Sequence, residues 1–135
     1  MRIMLDSNVI FSAFYLPNSF VANIVKHIKK NHEIVLSRYI LDEVRDNFQE
    51  KYPNVYENIK NVIDYLPDCV VDFDNIVPAK YPYIKDQKDL PILAFAIESN
   101  VDILITGDTH FDIAKNIMQI PRILKPREYY DEFMI

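Results

Sequence analysis

Cysteine is almost absent from this chain: Cys69 is the only one among 135 residues. A lone thiol forms neither an internal disulfide nor a zinc cluster, so a reducing, cytoplasmic environment is expected. Long hydrophobic runs are missing too. No apolar stretch approaches the ~18–20 residues that cross a bilayer. The apolar opening Ile3-Met4-Leu5 stops at Asp6, too soon for a signal peptide, so neither a span nor a leader is expected. Basic charge is also in short supply, with 15 Lys and Arg against 20 Asp and Glu and a net charge of −5. Tight, metal-free tracking of a nucleic-acid backbone needs a basic face and is disfavoured. Two arrangements stay open: an enzyme that meets phosphate through bound cations, and a chain with a basic partner protein.

What remains is an ordinary globular composition, 50% hydrophobic and 26% charged. The length fits a single domain over residues 1–135, with no repeat, low-complexity tract or linker. Strand and helix alternate. Residues 3–5 form a short apolar strand ending at Asp6. A helical pattern follows through Val9, Ile10, Phe11 and Phe14, breaks at Pro17, and resumes from Phe20 to Ile28 behind a Ser19 cap. Residues 34–36 make a second strand. Ser37 then caps a helix whose stripe is Ile40, Leu41, Val44 and Phe48. Pro53 opens another helix, carrying Val55, Ile59, Val62, Ile63 and Leu66. Cys69-Val70-Val71 is a third strand and residues 74–88, with Pro78 and Pro82, a loop. A helix around Ile92 to Ile97, a fourth strand Ile103-Leu104-Ile105, a short helix at 111–117, an edge strand at 122–124 and a helix after Pro126 complete the chain. Continuous Val, Ile and Leu strands between helices predict a mainly parallel sheet covered on both faces. In such sheets the working crevice lies beyond the carboxyl ends of the strands.

Asp6 and Asp108 stand at two such ends. Glu43, one turn into the Ser37-capped helix, and Asp89, at the start of the helix before the fourth strand, are placed to face the same rim. Asp112, four residues beyond Asp108, is placed to point back. Taken singly, a strand-end Asp is ordinarily a helix cap or a turn residue. Recurrence at one edge changes that reading, because clustered carboxylates repel by roughly 1 kcal/mol per pair at intermediate dielectric. Protons or cations must relieve the repulsion, and an all-oxygen site suits Mg²⁺ or Mn²⁺.

The motifs around these acids carry a family likeness. Asp6-Ser7-Asn8 resembles the D-[ST]-N that opens PIN domains. Ser37 leading to Leu41 and Glu43 resembles their S-x-x-[LI]-x-E stretch, and Asp89 with Leu93-Ala94 and Ala96 their central D-x-x-x-L-A-x-A helix. Thr106-Gly107-Asp108 with Phe111 is similar to their T-x-D-x-x-[FL] segment. The likeness runs from Met1 to about Leu124, and four acidic motifs in order make it specific. Arg38-Tyr39, where small residues or proline are common, and Asp86, close to Asp89, depart from the pattern.

The resemblance, closest to VapC-like toxins, implies a three-layer Rossmann-like α/β fold and an acidic pocket for one or two divalent metals. It implies endonucleolytic cleavage of single-stranded RNA, often by the toxin of a bacterial or archaeal toxin–antitoxin pair, with a cognate antitoxin and a homo-oligomer as possible assemblies. Carried over position by position, Asp6, Glu43, Asp89 and Asp108 are the catalytic acids, and Asp6, Asp89, Asp108 and Asp112 the metal ligands. A cation held by Asp6 and Asp108 would acidify an attacking water and offset phosphoryl charge. Ser7, Asn8 and Thr106 would orient carboxylates or touch phosphate, a role that competes evenly with plain turn hydrogen bonding.

Other residues read more simply. His110, His27 and His32 are taken as solvated, and Lys26, Lys29 and Lys30 as the wet face of a helix. Tyr129, Tyr130 and Phe133 are taken as packing. The nine tyrosines show no stacking pattern that would make an RNA platform. Three rival functions compete with this reading. A haloacid-dehalogenase-like phosphatase needs a second Asp where Asn8 stands. A phosphoacceptor receiver would find only loose matches in Asp72 and Lys125. A non-catalytic PIN-like binding or scaffold subunit is the stronger rival, and its mark would be the loss of an acid.

Overall fold

A computed structural model of the chain describes residues 1–72, 80–81, 90–117 and 119–135, apart from the side chains of His110 and Ile117. Five strands form one all-parallel sheet: β1 (Arg2–Leu5), β2 (Glu33–Ser37), β3 (Cys69–Val71), β4 (Ile103–Ile105) and β5 (Arg122–Leu124), in the order β3-β2-β1-β4-β5. The helices are α1 (Ser7–Tyr15), α2 (Phe20–Asn31), α3 (Arg38–Lys51), α4 (Pro53–Ile63), α5 (Leu90–Glu98), α6 (Asp112–Ile117) and α7 (Pro126–Tyr129). A 3₁₀ turn (Thr109–Phe111) precedes α6, and a π-helical turn (Tyr130–Met134) ends the chain. This is the expected three-layer Rossmann-like sheet flanked by helices, and the edge strand at 122–124 is present and parallel.

Local chemistry places the elements. Ser19 and Ser37 cap α2 and α3, each hydroxyl accepting a backbone N–H three residues on (Ala22 and Ile40, both 3.1 Å). α5 ends with Asn100 in the left-handed region at φ 56°. The Val101 N–H reaches the Ala96 carbonyl and the Asn100 N–H the Ile97 carbonyl, which turns the chain directly into β4. Ile3, Leu5, Ile34, Leu36, Ile103 and Ile105 are fully buried, as strands covered on both faces must be. No single helix among the described residues is long and apolar enough to cross a membrane. α1 and α2 pass that test only as a pair bent by 109°, and most of their apolar residues, Val9, Ile10, Ala22, Ile24, Val25 and Ile28 among them, lie in the core.

Three expectations change. The helix expected to carry Val55, Ile59, Val62, Ile63 and Leu66, α4, ends at Ile63, so Leu66 lies beyond it, and Val62 is exposed. It packs on α3, one layer out, and buries little more than one edge. His27 and His32 are not solvated: the His27 ring is hydrogen-bonded to the Tyr129 hydroxyl (2.9 Å), and His32 lies edge-on to Tyr129 and Phe133. Tyr129 is fully buried as expected, and burial pushes its phenol up to about 12. Among the tyrosines, Tyr15 and Tyr52 stack on each other with centroids 4.6 Å apart. The loop at 74–88 lies outside the described residues except for Lys80 and Tyr81.

Candidate active site

The strand order reverses at β1: β2 and β3 lie on one side of it, β4 and β5 on the other. The crevice at the carboxyl ends of β1 and β4 is therefore the topological switch point, where open α/β sheets bind their ligands. The register Leu5↔Ile105 carries on one step, because the Asp6 N–H donates to the Ile105 carbonyl at 2.9 Å. Thr106 is held in the same way by the Leu124 carbonyl of β5 (3.0 Å). Asp6 and Thr106 thus face each other across the crevice on backbone that belongs to the sheet.

Asp6 occupies the N-cap position of α1, yet its side chain makes no capping hydrogen bond. The carboxylate instead accepts from the Thr106 hydroxyl at 2.8 Å. It is 3% exposed, and Ser7 and Thr106 are each 2% exposed. Thr106 Oγ1 also accepts the backbone N–H of Asp108 at 3.1 Å, and the buried Phe111 returns its N–H to the Asp108 carbonyl. One hydroxyl therefore sets both acids. That explains the spacing of threonine, aspartate and phenylalanine after β4. Across the crevice, Ser7 Oγ donates to Glu43 Oε1 at 2.5 Å and lies 3.4 Å from Asp6 Oδ1. Glu43 is half-buried on the α3 face turned to α1.

Burial raises the Asp6 pKa above the usual carboxylate value. Hydrogen bonds from Thr106 and the Ser7 backbone pull it down without cancelling burial, and the charges of Glu43 and Asp108 raise it further. Among the described residues, both charges that act on this buried acid are negative. That donor set, all oxygen, fits a hard divalent metal such as Mg²⁺ or Mn²⁺. Among the described residues no group of three or more His, Cys, Asp or Glu is already arranged as a ligand cluster.

The sequence-predicted residues divide accordingly. Asp6, Ser7, Glu43, Thr106 and Asp108 come together. Asn8 is exposed on the first turn of α1, and Asp112 is exposed at the start of α6. Asp89 and Asp86 lie outside the described residues, as does the His110 side chain. Lys26 and Lys29 are exposed as expected; Lys26 donates to the Pro17 carbonyl and Lys29 pairs with Asp68.

No curated protein matches the chain. Among solved structures, the chain is similar to VapBC2 from Rickettsia felis, in a crystal structure bound to a DNA fragment from their promoter. The two share 20% identity over 93% of this chain and 98% of that one, with a TM-score of 0.68, a likeness of fold. A family model described as PIN domain matches residues 2–110, which include Asp6, Glu43, Thr106 and Asp108. With that match across most of its length, the chain belongs to the PIN domain family.

Proposed function

We propose that the protein is a Mg²⁺- or Mn²⁺-dependent endoribonuclease that cuts single-stranded RNA at the β1–β4 crevice. The observation that carries this reading is Asp6: a buried carboxylate, not used as the cap its position invites, whose charged neighbours are two more carboxylates. Asp6 and Asp108, with Asp89, would hold the metal, and Asp112 would lie further from it. When bound, the cation supplies charge neutralisation at the phosphate and acidifies water. Thr106 holds the Asp6 carboxylate and, through the Asp108 backbone N–H, the turn that carries Asp108, and Ser7 bonds Glu43 beside them. Glu43, at the rim and half-buried, is placed to accept a proton from the attacking water. Asn8, exposed at the α1 N-terminus, would contact the phosphate.

The biological setting that fits is the toxin of a toxin–antitoxin pair, acting in the cytoplasm. The fold likeness to a VapBC complex and the single free thiol of Cys69 support it. An antitoxin arginine would pair bidentately with the carboxylates and silence them.

Cleavage of a labelled RNA oligonucleotide in Mg²⁺ or Mn²⁺ tests the reading. Asp6→Asn and Asp108→Asn should each abolish activity while preserving the fold. Glu43→Gln and Asp89→Asn should be severely impaired, and Asp112→Asn only partly. Wild-type-like cleavage by Asp6→Asn or Asp108→Asn contradicts the assignment. RNA binding without any metal-dependent cleavage favours the scaffold subunit instead.

A further inference from the structure

The nine tyrosines have no stacking pattern along the sequence, but the fold creates one. α1 and α3 pack on each other and meet first at Ser7 and Glu43. One turn further, Phe11 stacks on Phe48 with centroids 4.3 Å apart. A turn beyond that, Tyr15 stacks on Tyr52 at 4.6 Å and 30°. Phe11 lies 6.0 Å from each tyrosine, so the four rings are continuous. The pattern comes from i,i+4 spacing of 7, 11 and 15 on α1, and from Phe48 in the last turn of α3 with Tyr52 at that helix's C-cap.

The two ring pairs differ in exposure. Phe48 is fully buried, whereas Tyr15 and Tyr52 keep 40% and 37% of their surface open. The neighbouring Tyr52 phenol holds Tyr15 above its usual value. Tyr15 is eight residues beyond Ser7, about 12 Å along α1. A stacked, open pair of aromatic rings thus terminates a seam that starts at the carboxylates.

The geometry points to Tyr15 and Tyr52 as a stacking platform for a nucleobase of the single-stranded RNA whose scissile phosphate lies at Asp6, Glu43 and Asp108. This rests on the ribonuclease reading above. It also answers how a chain of net charge −5 holds a polyanion. Stacking engages the neutral face of a base, which every base presents, and needs no basic track. Lys26 and Lys29, by contrast, are engaged by Pro17 and Asp68.

The test compares Tyr15→Leu/Tyr52→Leu, which keeps apolar bulk and removes the rings, with Tyr15→Phe/Tyr52→Phe, which keeps the stack. Substrates are a tetranucleotide and a dinucleotide too short to reach from the carboxylates to the rings. Binding without cleavage is read from the fluorescence quenching of a 2-aminopurine oligonucleotide in an Asp6→Asn background. The Leu pair should raise KM for the tetranucleotide roughly tenfold with a much smaller change in kcat. It should also remove the advantage of the tetranucleotide over the dinucleotide and abolish the quenching. The Phe pair should restore all three.

A Leu pair that is folded by circular dichroism yet keeps wild-type KM and quenching overturns the platform and leaves the nuclease reading intact. So does a Leu pair that alters the sedimenting mass but not RNA affinity, since the rings would then be a protein interface. If wild type cleaves no RNA but ring-dependent quenching persists, the nuclease reading falls and the platform survives as a binding site. If wild type shows neither, both fall.

Discussion

Thr106 is the residue on which the crevice turns. Its hydroxyl, on a residue only 2% exposed, donates to Asp6 and accepts from the Asp108 backbone. Thr106→Val keeps the shape but leaves a buried carboxylate and a backbone N–H without that partner. The expected loss is about 1–3 kcal/mol in a denaturant melt. The same change removes the strongest influence lowering the Asp6 pKa, so the acidic limb of the cleavage–pH profile should move upward. Unchanged stability together with an unmoved limb would show that Thr106 is only a turn residue. The sequence left that choice even, because a threonine after a strand is equally at home in a turn. The position of its hydroxyl between two acids, one hundred residues apart for Asp6, is a property of strand register alone.

The elements were legible where pattern and cap agree. Ser19 and Ser37 lead into stripes at helical spacing, and both cap as read. α4 was misjudged because an amphipathic pattern records an apolar face without saying whether a sheet or another helix meets it. The histidines were misjudged for a related reason. Polar residues in a Lys-rich stretch look solvated until the C-terminal helix, distant in sequence, folds over them. Tyr15 and Tyr52 had a readable signal in the i,i+4 repeats with Phe11 and Phe48, but pairing the two helices required the fold.

The junction of α2 and β2 against α7 has a measurable consequence. Burial holds the His32 pKa below its ordinary value, helped by the positive charges of the chain's amino terminus and of His27. For a base with a depressed folded pKa, the unfolded chain takes up the proton first. Stability is then full above the ordinary value of 6.5 and declines as pH falls toward the folded pKa. Melting temperature should drop between pH 7 and 5.5 in wild type, and the slope should flatten in His32→Gln. Equal slopes in the two proteins would contradict the packing of this ring.

At the scale of the whole molecule, continuous apolar strands separated by helices predict a parallel sheet, and the reversal of strand order at β1 then dictates where its ligand site must lie. The acidic balance has its own signature. Proteins that bind phosphates through many Lys and Arg contacts lose roughly 10³–10⁵ in affinity between 50 and 200 mM salt. With an acidic pocket and a lysine group engaged elsewhere, this chain should show less than about a tenfold change in KM for an RNA oligonucleotide over that range. A steep salt dependence would indicate a basic track.

The central proposal is that Asp6 and Asp108, with Asp89, hold a metal beside Glu43, and thermal melting of wild type and Asp6→Asn, with and without metal, tests it most directly. Because burial and like charges raise the folded pKa of Asp6, its ionisation costs folding energy above that pKa and nothing below the unfolded value of 3.8. At pH 7 in EDTA, Asp6→Asn should therefore melt higher than wild type. Mg²⁺ or Mn²⁺ at ~100 times its Kd should stabilise wild type by roughly 2.7 kcal/mol and the variant far less. If Asp6→Asn melts lower in EDTA and metal shifts both proteins equally, the carboxylates do not form a metal site.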